Sequence, residues 1–244
     1  MRPLLFRWRG LTFWAYPTLL YLGLVAGVVA GNAAAHASGL DPFSVFVATF
    51  ALMLPALLGA RLLYVATHWP LFRHDLRRIW HRSDGGAAQY GGLALAVPLS
   101  FPILWLLELP IGAFWDVGVI TILVGMIPTR IGCLLNGCCA GRPFSGWCSV
   151  YLPNRSGVWT RRIPTQCLEA GLATALLVAA LILWRAMPFP GALFAFVVGG
   201  YGCGRLLLES MRELPPNRRF TVQHAISMLM VVISVATLTM GWAR

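Results

Sequence analysis

The sequence contains no lysine, and its eight acidic residues are outnumbered by nineteen arginines. Charged residues make up only 11% of the chain and hydrophobic residues 58%, whereas soluble domains carry roughly 25% charged residues. This scarcity of charge, with a mean hydropathy of +0.73, excludes an ordinary soluble protein and predicts an integral membrane protein. A dinucleotide fingerprint and a phosphate-binding P-loop are also missing. We therefore predict no cofactor, and the sequence argues against phosphoryl transfer from a nucleotide.

Long apolar runs divide the chain into segments of about the length that spans a bilayer, which is roughly 20 residues for a helix. Seven such runs, bounded by charge, proline or glycine, lie at about 12–31, 44–67, 88–107, 112–129, 165–184, 190–210 and 220–242. The first could also be a signal peptide, but it exceeds the usual apolar core of about 7–15 residues. We predict an all-α integral membrane protein of about seven transmembrane helices, forming one domain over 1–244 with a small loop and head region at about 130–164.

The arginines are concentrated on one side of the predicted bundle. Fifteen of the nineteen fall on the side of the N-terminus, namely Arg2, Arg7, Arg9, Arg73, Arg77, Arg78, Arg82, Arg130, Arg142, Arg155, Arg161, Arg162, Arg212, Arg218 and Arg219. The positive-inside rule would place this side in the cytoplasm. A side that holds anionic lipid headgroups would also collect guanidinium groups, which pair with phosphate through two hydrogen bonds. Because the arginines are spread over membrane loops, the net charge of +11 does not indicate a nucleic-acid partner.

Charged side chains inside the membrane are costly, and each is a candidate functional residue. Arg61 interrupts the second apolar run near its middle, and Arg205 and Glu209 lie four residues apart on one face of the sixth helix. Glu169 lies about one turn inside the fifth helix and needs a positive partner, which could be Arg61 or Arg205. Such pairs could form a site, or they could only lock the bundle as buried salt bridges.

Three of the six cysteines lie in the stretch "RIGCLLNGCCAGR", residues 130–142, between two apolar segments. Cys133, Cys138 and Cys139 lack the Cys-x-x-Cys spacing of zinc ribbons, and the five histidines form no i, i+4 ligand pair, so no metal site is predicted. Free thiols that pack as small apolar side chains are the commoner case, and disulfides would need an oxidising compartment. Cys133 or Cys138 could act as a nucleophile if nearby arginines lower the thiol pKa.

Six segments of the chain form an ordered set. They are "FWAYPTLLYLG" in the first predicted helix, "GARLLYV" in the second, "YGGL" at the start of the third, "RIGCLLNGCCAGR" after the fourth, "RRIPTQCLE" at the start of the fifth and "PGALFAFVVGGYGCGRLLLESMR" in the sixth. Together they resemble the prolipoprotein diacylglyceryl transferase family. The resemblance implies a seven-helix fold in the bacterial inner (cytoplasmic) membrane. It also implies an enzyme that moves the diacylglyceryl group of phosphatidylglycerol to the lipobox cysteine of a prolipoprotein, leaving glycerol phosphate.

The resemblance further implies which residues form the site. Arg130 and Arg205 match two functional arginines of the family and suit the lipid phosphate. We expect Arg61 or Arg142 to support them and Tyr90 to orient the incoming group. Other residues that match the family's lipid site are Tyr16, Asn136, Gly141, Gln166, Glu169, Tyr201 and Glu209. The implied partners are an anionic donor similar to phosphatidylglycerol, a protein or small-molecule acceptor, and the membrane.

Several positions depart from the family pattern, which makes the chain a divergent member. Tyr90 and Ile163 stand where histidines are usual, Cys133 stands where asparagine is usual, and Cys138 stands where glutamate is usual. A phenol, with an ordinary pKa of about 10, is a poor base at neutral pH unless arginines lower that pKa. Tyrosine at a membrane interface is also often only an anchor. The resemblance thus implies preserved phosphate handling and leaves the acceptor open.

Three hypotheses follow for the function. The chain is a divergent lipoprotein diacylglyceryl transferase, a related transferase with a glycerophospholipid donor and a non-lipoprotein acceptor, or a non-enzymatic lipid-binding membrane protein. We expect the first. The family's site opens to the outer face of the membrane, whereas the arginine distribution points to the inner face. We expect the family's orientation, because arginines at a phospholipid site have a second reason to be there.

Overall fold

The structure, a computed structural model, describes residues 4–73, 75–80, 89–153, 157–213 and 221–242. Within these ranges lie seven long helices, labelled α1 to α7: Ala15–Ala37, Pro42–Thr67, Gln89–Leu106, Ile111–Asn136, Thr165–Leu183, Ala192–Ser210 and Val222–Trp242. Six are long and apolar enough to cross a membrane, and Tyr90–Leu106 is a shorter apolar helix. The predicted all-α multi-pass membrane fold is confirmed. Five of the arginines assigned to the N-terminal side, Arg2, Arg82, Arg155, Arg218 and Arg219, lie outside the described residues.

A short antiparallel hairpin precedes α1, and the apolar pattern did not predict it. Its strands are β1, Leu4–Trp8, and β2, Leu11–Trp14. Arg9 and Gly10 form the two-residue turn, and both have positive φ, 47° and 83°. Two such residues give the turn whose twist matches that of the paired strands. The helix therefore begins after the hairpin, at Ala15, and not at about residue 12.

The fourth helix continues into the segment that was predicted to be a loop from residue 130. It ends at Asn136, so Arg130 and Cys133 lie on its last two turns. The left-handed Gly137, with φ 75°, terminates it. Gly137 N–H donates to the Leu134 carbonyl and Cys138 N–H to the Cys133 carbonyl, both at 3.1 Å, which is the Schellman pattern of a glycine-terminated helix. The predicted loop start was wrong because nothing before Gly137 stops the helix.

The chain divides into two compact units, one formed by Met1–Ala34 with Trp115–Arg244 and the other by Ala35–Phe114. The single domain over 1–244 stays a prediction. In the smaller unit α2 packs on α3, where Gly59 and Gly91 lie against each other so closely that a Cβ on either would overlap the backbone of the other. Tyr90 is buried beside this contact, at 6% exposure. Arg61 Nε donates to the Ile79 carbonyl at 2.7 Å.

In the larger unit, small residues bring α1 and α4 together. A Cβ on Gly23 would lie 2.5 Å from the Gly125 carbonyl oxygen, and a Cβ on Gly27 would lie 2.5 Å from that of Thr121. Small residues four apart allow such close backbone approach between transmembrane helices. Nearer the end of α4, a Cβ on Gly132 would lie 3.3 Å from the Cα of Tyr16. The start of α1 is therefore held against the turn of α4 that follows Arg130.

A second small sheet lies in the segment between α4 and α5, within the predicted head region. Its antiparallel strands are β3, Val150–Pro153, and β4, Trp159–Arg162. Isolated bridges join Pro143 to Arg162 and Gly141 to Arg212. The segment that follows α4 is therefore tied both to the strand before α5 and to the end of α6.

Candidate active site

A buried carboxylate, Glu169 of α5, lies between three arginines, one on α4 and two at or just beyond the end of α6. Its side chain is 1% exposed. Arg130 Nε of α4 lies 2.6 Å from Oε2, and Arg212 Nη2, just beyond α6, lies 2.7 Å from Oε1. Arg205 Nη1 of α6 donates to the same Oε1. Of the two partners predicted for Glu169, the contact with Arg205 is confirmed.

Glu209 of α6 is the second carboxylate of this cluster. Arg205 Nη2 lies 3.2 Å from Glu209 Oε2, which confirms the predicted i, i+4 pair, and Arg212 Nε lies 3.8 Å from the same oxygen. The Thr221 hydroxyl donates to Oε1 at 3.4 Å. Arginine is always protonated in proteins, so with both carboxylates ionised these three guanidinium groups and two carboxylates leave one excess positive charge. A buried group of side chains with that excess suits an anionic ligand.

The positions of these side chains follow from the helices that carry them. Glu169 lies one turn into α5, and Arg205 and Glu209 share one face of α6. Tyr201, one turn before Arg205 on the same face, is 7% exposed and interacts electrostatically with Arg130. Tyr16 of α1 also interacts electrostatically with Arg130. The structure thus brings both predicted tyrosines to the Arg130 side of the cluster.

The start of α6 is set by another acidic residue, Asp116 of α4. Its Oδ2 accepts from the backbone N–H of Gly191 at 2.7 Å, and its Oδ1 accepts from that of Phe194 at 2.8 Å. Gly191 has a left-handed φ of 98° and no side chain that could cap the helix. Asp116 therefore acts as the cap for α6 and stabilises the positive end of the helix dipole. No local sequence pattern indicates this role, because the partners of Asp116 lie about 75 residues further along the chain.

The segment that follows α4 is held by hydrogen bonds to its backbone carbonyls and amides. Gln166 Nε2 donates to the Cys138 carbonyl, and Thr165 Oγ1 donates to that of Cys139 at 2.7 Å. Gly141 N–H donates to the Ile163 carbonyl at 2.9 Å. A Cβ on Gly141 would lie 2.7 Å from the carbonyl oxygen of Met211, so only glycine fits without a shift. Gln166 and Gly141, both predicted site residues, thus shape the loop.

Two further arginines lie around this loop: Arg142, which was predicted to support the site, and Arg162, which was not. Arg142 donates through its main-chain N–H to the Met211 carbonyl at 2.9 Å, and its side chain is exposed. Arg162, at 2% exposure, donates through Nη1 to the Gly141 carbonyl at 3.1 Å and to Glu213 at 2.7 Å. No site role was predicted from the sequence for Arg162 or Arg212. For Arg212 a signal existed, since it follows Glu209 by three residues.

The three loop cysteines come together in space. Their sulfur atoms all lie within 4.8 Å of one another, with Cys133 buried and Cys139 exposed. Cys139 has a left-handed φ of 64° and comes two residues after the left-handed Gly137. Together these two residues fold the loop back over the end of α4. Hydrogen bonds from the Cys133 and Cys138 thiols and the charges of Arg212 and Arg130 hold the pKa of the Cys139 thiol below its usual range. Asn136 is exposed, and its side chain reaches the Cys138 sulfur.

The remaining predicted residues, Arg61 and Tyr90, belong to the smaller compact unit. Besides its hydrogen bond to Ile79, the Arg61 guanidinium carbon lies 5.7 Å from the ring centre of Tyr64 and 5.6 Å from that of Phe72. Stacking of this kind satisfies a guanidinium group inside the membrane. The functional roles predicted for Arg61 and Tyr90 stay predictions.

The comparisons with known proteins agree with one another. The family model described as prolipoprotein diacylglyceryl transferase matches residues 3–240. Over 189 residues the chain is 28% identical to the phosphatidylglycerol–prolipoprotein diacylglyceryl transferase of Streptococcus equi subsp. zooepidemicus (strain H70), covering 74% of this chain and 72% of that protein. Over 203 residues it is 27% identical to the protein of the same name from Streptococcus pyogenes serotype M1, covering 81% and 78%.

Proposed function

Because the chain belongs to the prolipoprotein diacylglyceryl transferase family and is a transferase, we propose that it moves the diacylglyceryl group of phosphatidylglycerol to the lipobox cysteine of prolipoproteins. The bond between the glyceryl carbon and the phosphate oxygen breaks, and glycerol phosphate leaves. We place the protein in the bacterial inner membrane, where the donor lipid and exported prolipoproteins meet. Membership of a transferase family argues against the non-enzymatic alternative.

The observation that carries this proposal is the buried cluster around Glu169. Breaking the carbon–oxygen bond puts negative charge on the departing phosphate, and preorganised positive groups that stabilise such charge are usually the largest contribution to catalysis. Arg130, Arg205 and Arg212 supply three planar guanidinium groups, each able to make two parallel hydrogen bonds to phosphate. Glu169 and Glu209 hold these groups in place without cancelling all of their charge.

The other predicted residues are proposed either to assist the phosphate-binding arginines or to line the lipid site. We assign the donor phosphate to Arg130 and Arg205, with Arg61 or Arg142 in support and Tyr90 orienting the acceptor. Further residues proposed to line the lipid site are Tyr16, Asn136, Gly141, Gln166, Glu169, Tyr201 and Glu209. Within the described residues nothing donates to the buried Oε1 of Gln166, which leaves an acceptor for a hydroxyl of the headgroup.

The test is incubation of the purified protein with phosphatidylglycerol and a lipobox peptide, following both the peptide mass and released glycerol phosphate. We expect a diacylglyceryl thioether on the peptide. Arg130→Ala and Arg205→Ala should each lower the rate by about 100-fold or more, as the loss of one transition-state donor does elsewhere. Arg185→Ala, which removes an exposed arginine outside the cluster, should retain the rate. Full activity of a folded Arg130→Ala or Arg205→Ala variant would contradict the assignment of the donor phosphate to these two arginines.

A second function is favoured by the changed positions Tyr90, Cys133 and Cys138. If the acceptor side of the site has diverged, the protein is a transferase with the same donor and a different acceptor. The same assay separates the two functions. Glycerol phosphate released in the presence of phosphatidylglycerol, without a modified peptide, would support the second function and exclude the first.

A further inference from the structure

Cys133, Cys138 and Cys139 form a group that is called the thiol cluster. None of the three thiols has a role in the donor-lipid site proposed for the transfer reaction. One zinc ion bound by thiolates lies about 2.3 Å from each sulfur, which places sulfurs in a tetrahedral site about 3.8 Å apart. The three sulfur atoms already lie within 4.8 Å of one another. The sulfur–sulfur separations are therefore at most about 1 Å longer than those around a bound zinc ion.

A metal uses the three thiols more completely than a disulfide would. A disulfide joins two sulfurs and leaves the third cysteine without a role. Three thiolates converging from one side are instead a donor set for a soft cation such as zinc, with a fourth position left open. The thiol cluster could not be anticipated from spacing rules, because Gly137 and Cys139 turn the chain back onto the last turn of α4.

The surroundings suit a metal that carries three thiolates. Three thiolates and one divalent cation have a net charge of −1, and Arg130 and Arg212 interact electrostatically with Cys139. The loop is already held in place, since the carbonyls of Cys138 and Cys139 accept hydrogen bonds from Gln166 and Thr165. Binding would therefore order little of the backbone. Cys139 is exposed, so a metal and an incoming thiol can reach the cluster.

We propose that the thiol cluster binds a zinc-class divalent cation whose open fourth position holds the acceptor thiol. This role rests on the proposed function. A thiol that coordinates such a metal is deprotonated, and its proton passes to water. The metal-held sulfur then attacks the glyceryl carbon of the donor, the carbon–oxygen bond to the phosphate breaks, and its electron pair leaves with glycerol phosphate. Arg130, Arg205 and Arg212 stabilise the leaving group while the thiol cluster activates the attacking group.

The first experiment measures metal binding alone, so that it does not depend on turnover. Full-length protein, purified in detergent under reducing conditions and stripped of metal, is titrated with Co²⁺ and then with Zn²⁺. We expect one equivalent of cobalt with thiolate-to-metal charge-transfer absorption, and we expect zinc to displace it. Absence of that absorption in the reduced, folded protein would overturn the site.

Matched variants locate the binding. Cys139→Ser changes an exposed side chain and leaves the core packing as it is. It should abolish or greatly weaken cobalt binding, as should Cys138→Ser. Cys167→Ser and Cys203→Ser, which alter exposed cysteines on α5 and α6, should bind as the original protein does. Equal loss in the α5 and α6 variants would show that the metal is bound elsewhere and would overturn the assignment to the thiol cluster.

A separate measurement tests the acceptor role. Metal removal by a chelator should stop transfer to the lipobox peptide, and added Zn²⁺ should restore it. Full transfer by the metal-free protein would overturn the role of the metal while leaving the proposed function intact. Cobalt binding at the thiol cluster without any transfer to the peptide would support the metal site and count against the lipoprotein acceptor.

Discussion

Two carboxylates on the transmembrane helices, Glu169 and Asp116, are satisfied by different kinds of partner. Asp116 accepts hydrogen bonds from two backbone amides at the start of α6, which are fixed by the helix itself. Glu169 contacts three arginine side chains, one from α4 and two from the end of α6 and the residues just after it. Backbone amides cannot turn away to a ligand, but guanidinium groups can. We therefore propose that Asp116 stabilises the fold, whereas Glu169 positions guanidinium groups that can turn toward a substrate.

Glu169→Gln should have the largest effect of the substitutions that test this difference between the two carboxylates. The substitution keeps the shape but removes the charge that holds Arg130, Arg205 and Arg212 together. Because the three guanidinium groups then repel one another, we expect the transfer rate to fall by about 100-fold, the cost of misplacing catalytic groups by about 1 Å. Loss of a buried ion-pair partner should also lower stability by about 3–5 kcal/mol. Transfer assays and thermal denaturation in detergent measure the two effects.

The control for this substitution is Glu108→Gln, which changes an exposed carboxylate in the smaller unit. It should alter neither the rate nor the melting temperature appreciably. If Glu169→Gln behaved in the same way, the arginines would be positioned without Glu169 and the interpretation of the cluster would be wrong.

Asp116→Asn should affect stability and not chemistry. The change weakens two charge-assisted hydrogen bonds to the start of α6, each contributing about 1.5 kcal/mol. We expect the free energy of unfolding to fall by about 3 kcal/mol, while the rate measured well below the melting temperature stays within a factor of about three. Asp116 and Arg130 are separated by about 21 Å along α4 at 1.5 Å per residue, so the site itself is not touched. A rate loss as large as that of Glu169→Gln would remove the distinction between the two carboxylates.

The parts of this arrangement that sequence could predict are those set by neighbours along the chain. The seven apolar runs predicted α1 to α7 to within a few residues at most ends, and the four-residue spacing predicted the Arg205–Glu209 pair. The partner of Glu169 was narrowed to two arginines because a buried carboxylate needs a cation. The family resemblance, and not periodicity, indicated Arg130.

Long-range contacts could not be predicted in this way. Asp116 bonds to residues that no local pattern connects with it, and Arg162 reaches Glu213 across 51 positions. The convergence of the three cysteines depends on two left-handed residues, Gly137 and Cys139, of which only the glycine has a sequence signal. The predicted end of α4 was wrong for a related reason. Gly132 packs against α1, a contact that local sequence does not show, and the helix continues through it.

Gly27→Ala on α1 should have a smaller effect on stability, because it changes only the packing of α1 against α4, the helix that carries Asp116 and Arg130. A methyl group on Gly27 would press on the carbonyl oxygen of Thr121, which lies between those two residues on α4, so Gly27→Ala must push α1 away from α4. Overpacking of this kind should cost about 2 kcal/mol of stability, read as a lower melting temperature in detergent. Gly171→Ala on α5 is the matched control, because a Cβ there meets nothing within 4 Å. It should raise stability by up to about 1 kcal/mol, since alanine favours a helix more than glycine does. Equal destabilisation by both changes would mean that loss of glycine, and not the contact between α1 and α4, sets the effect.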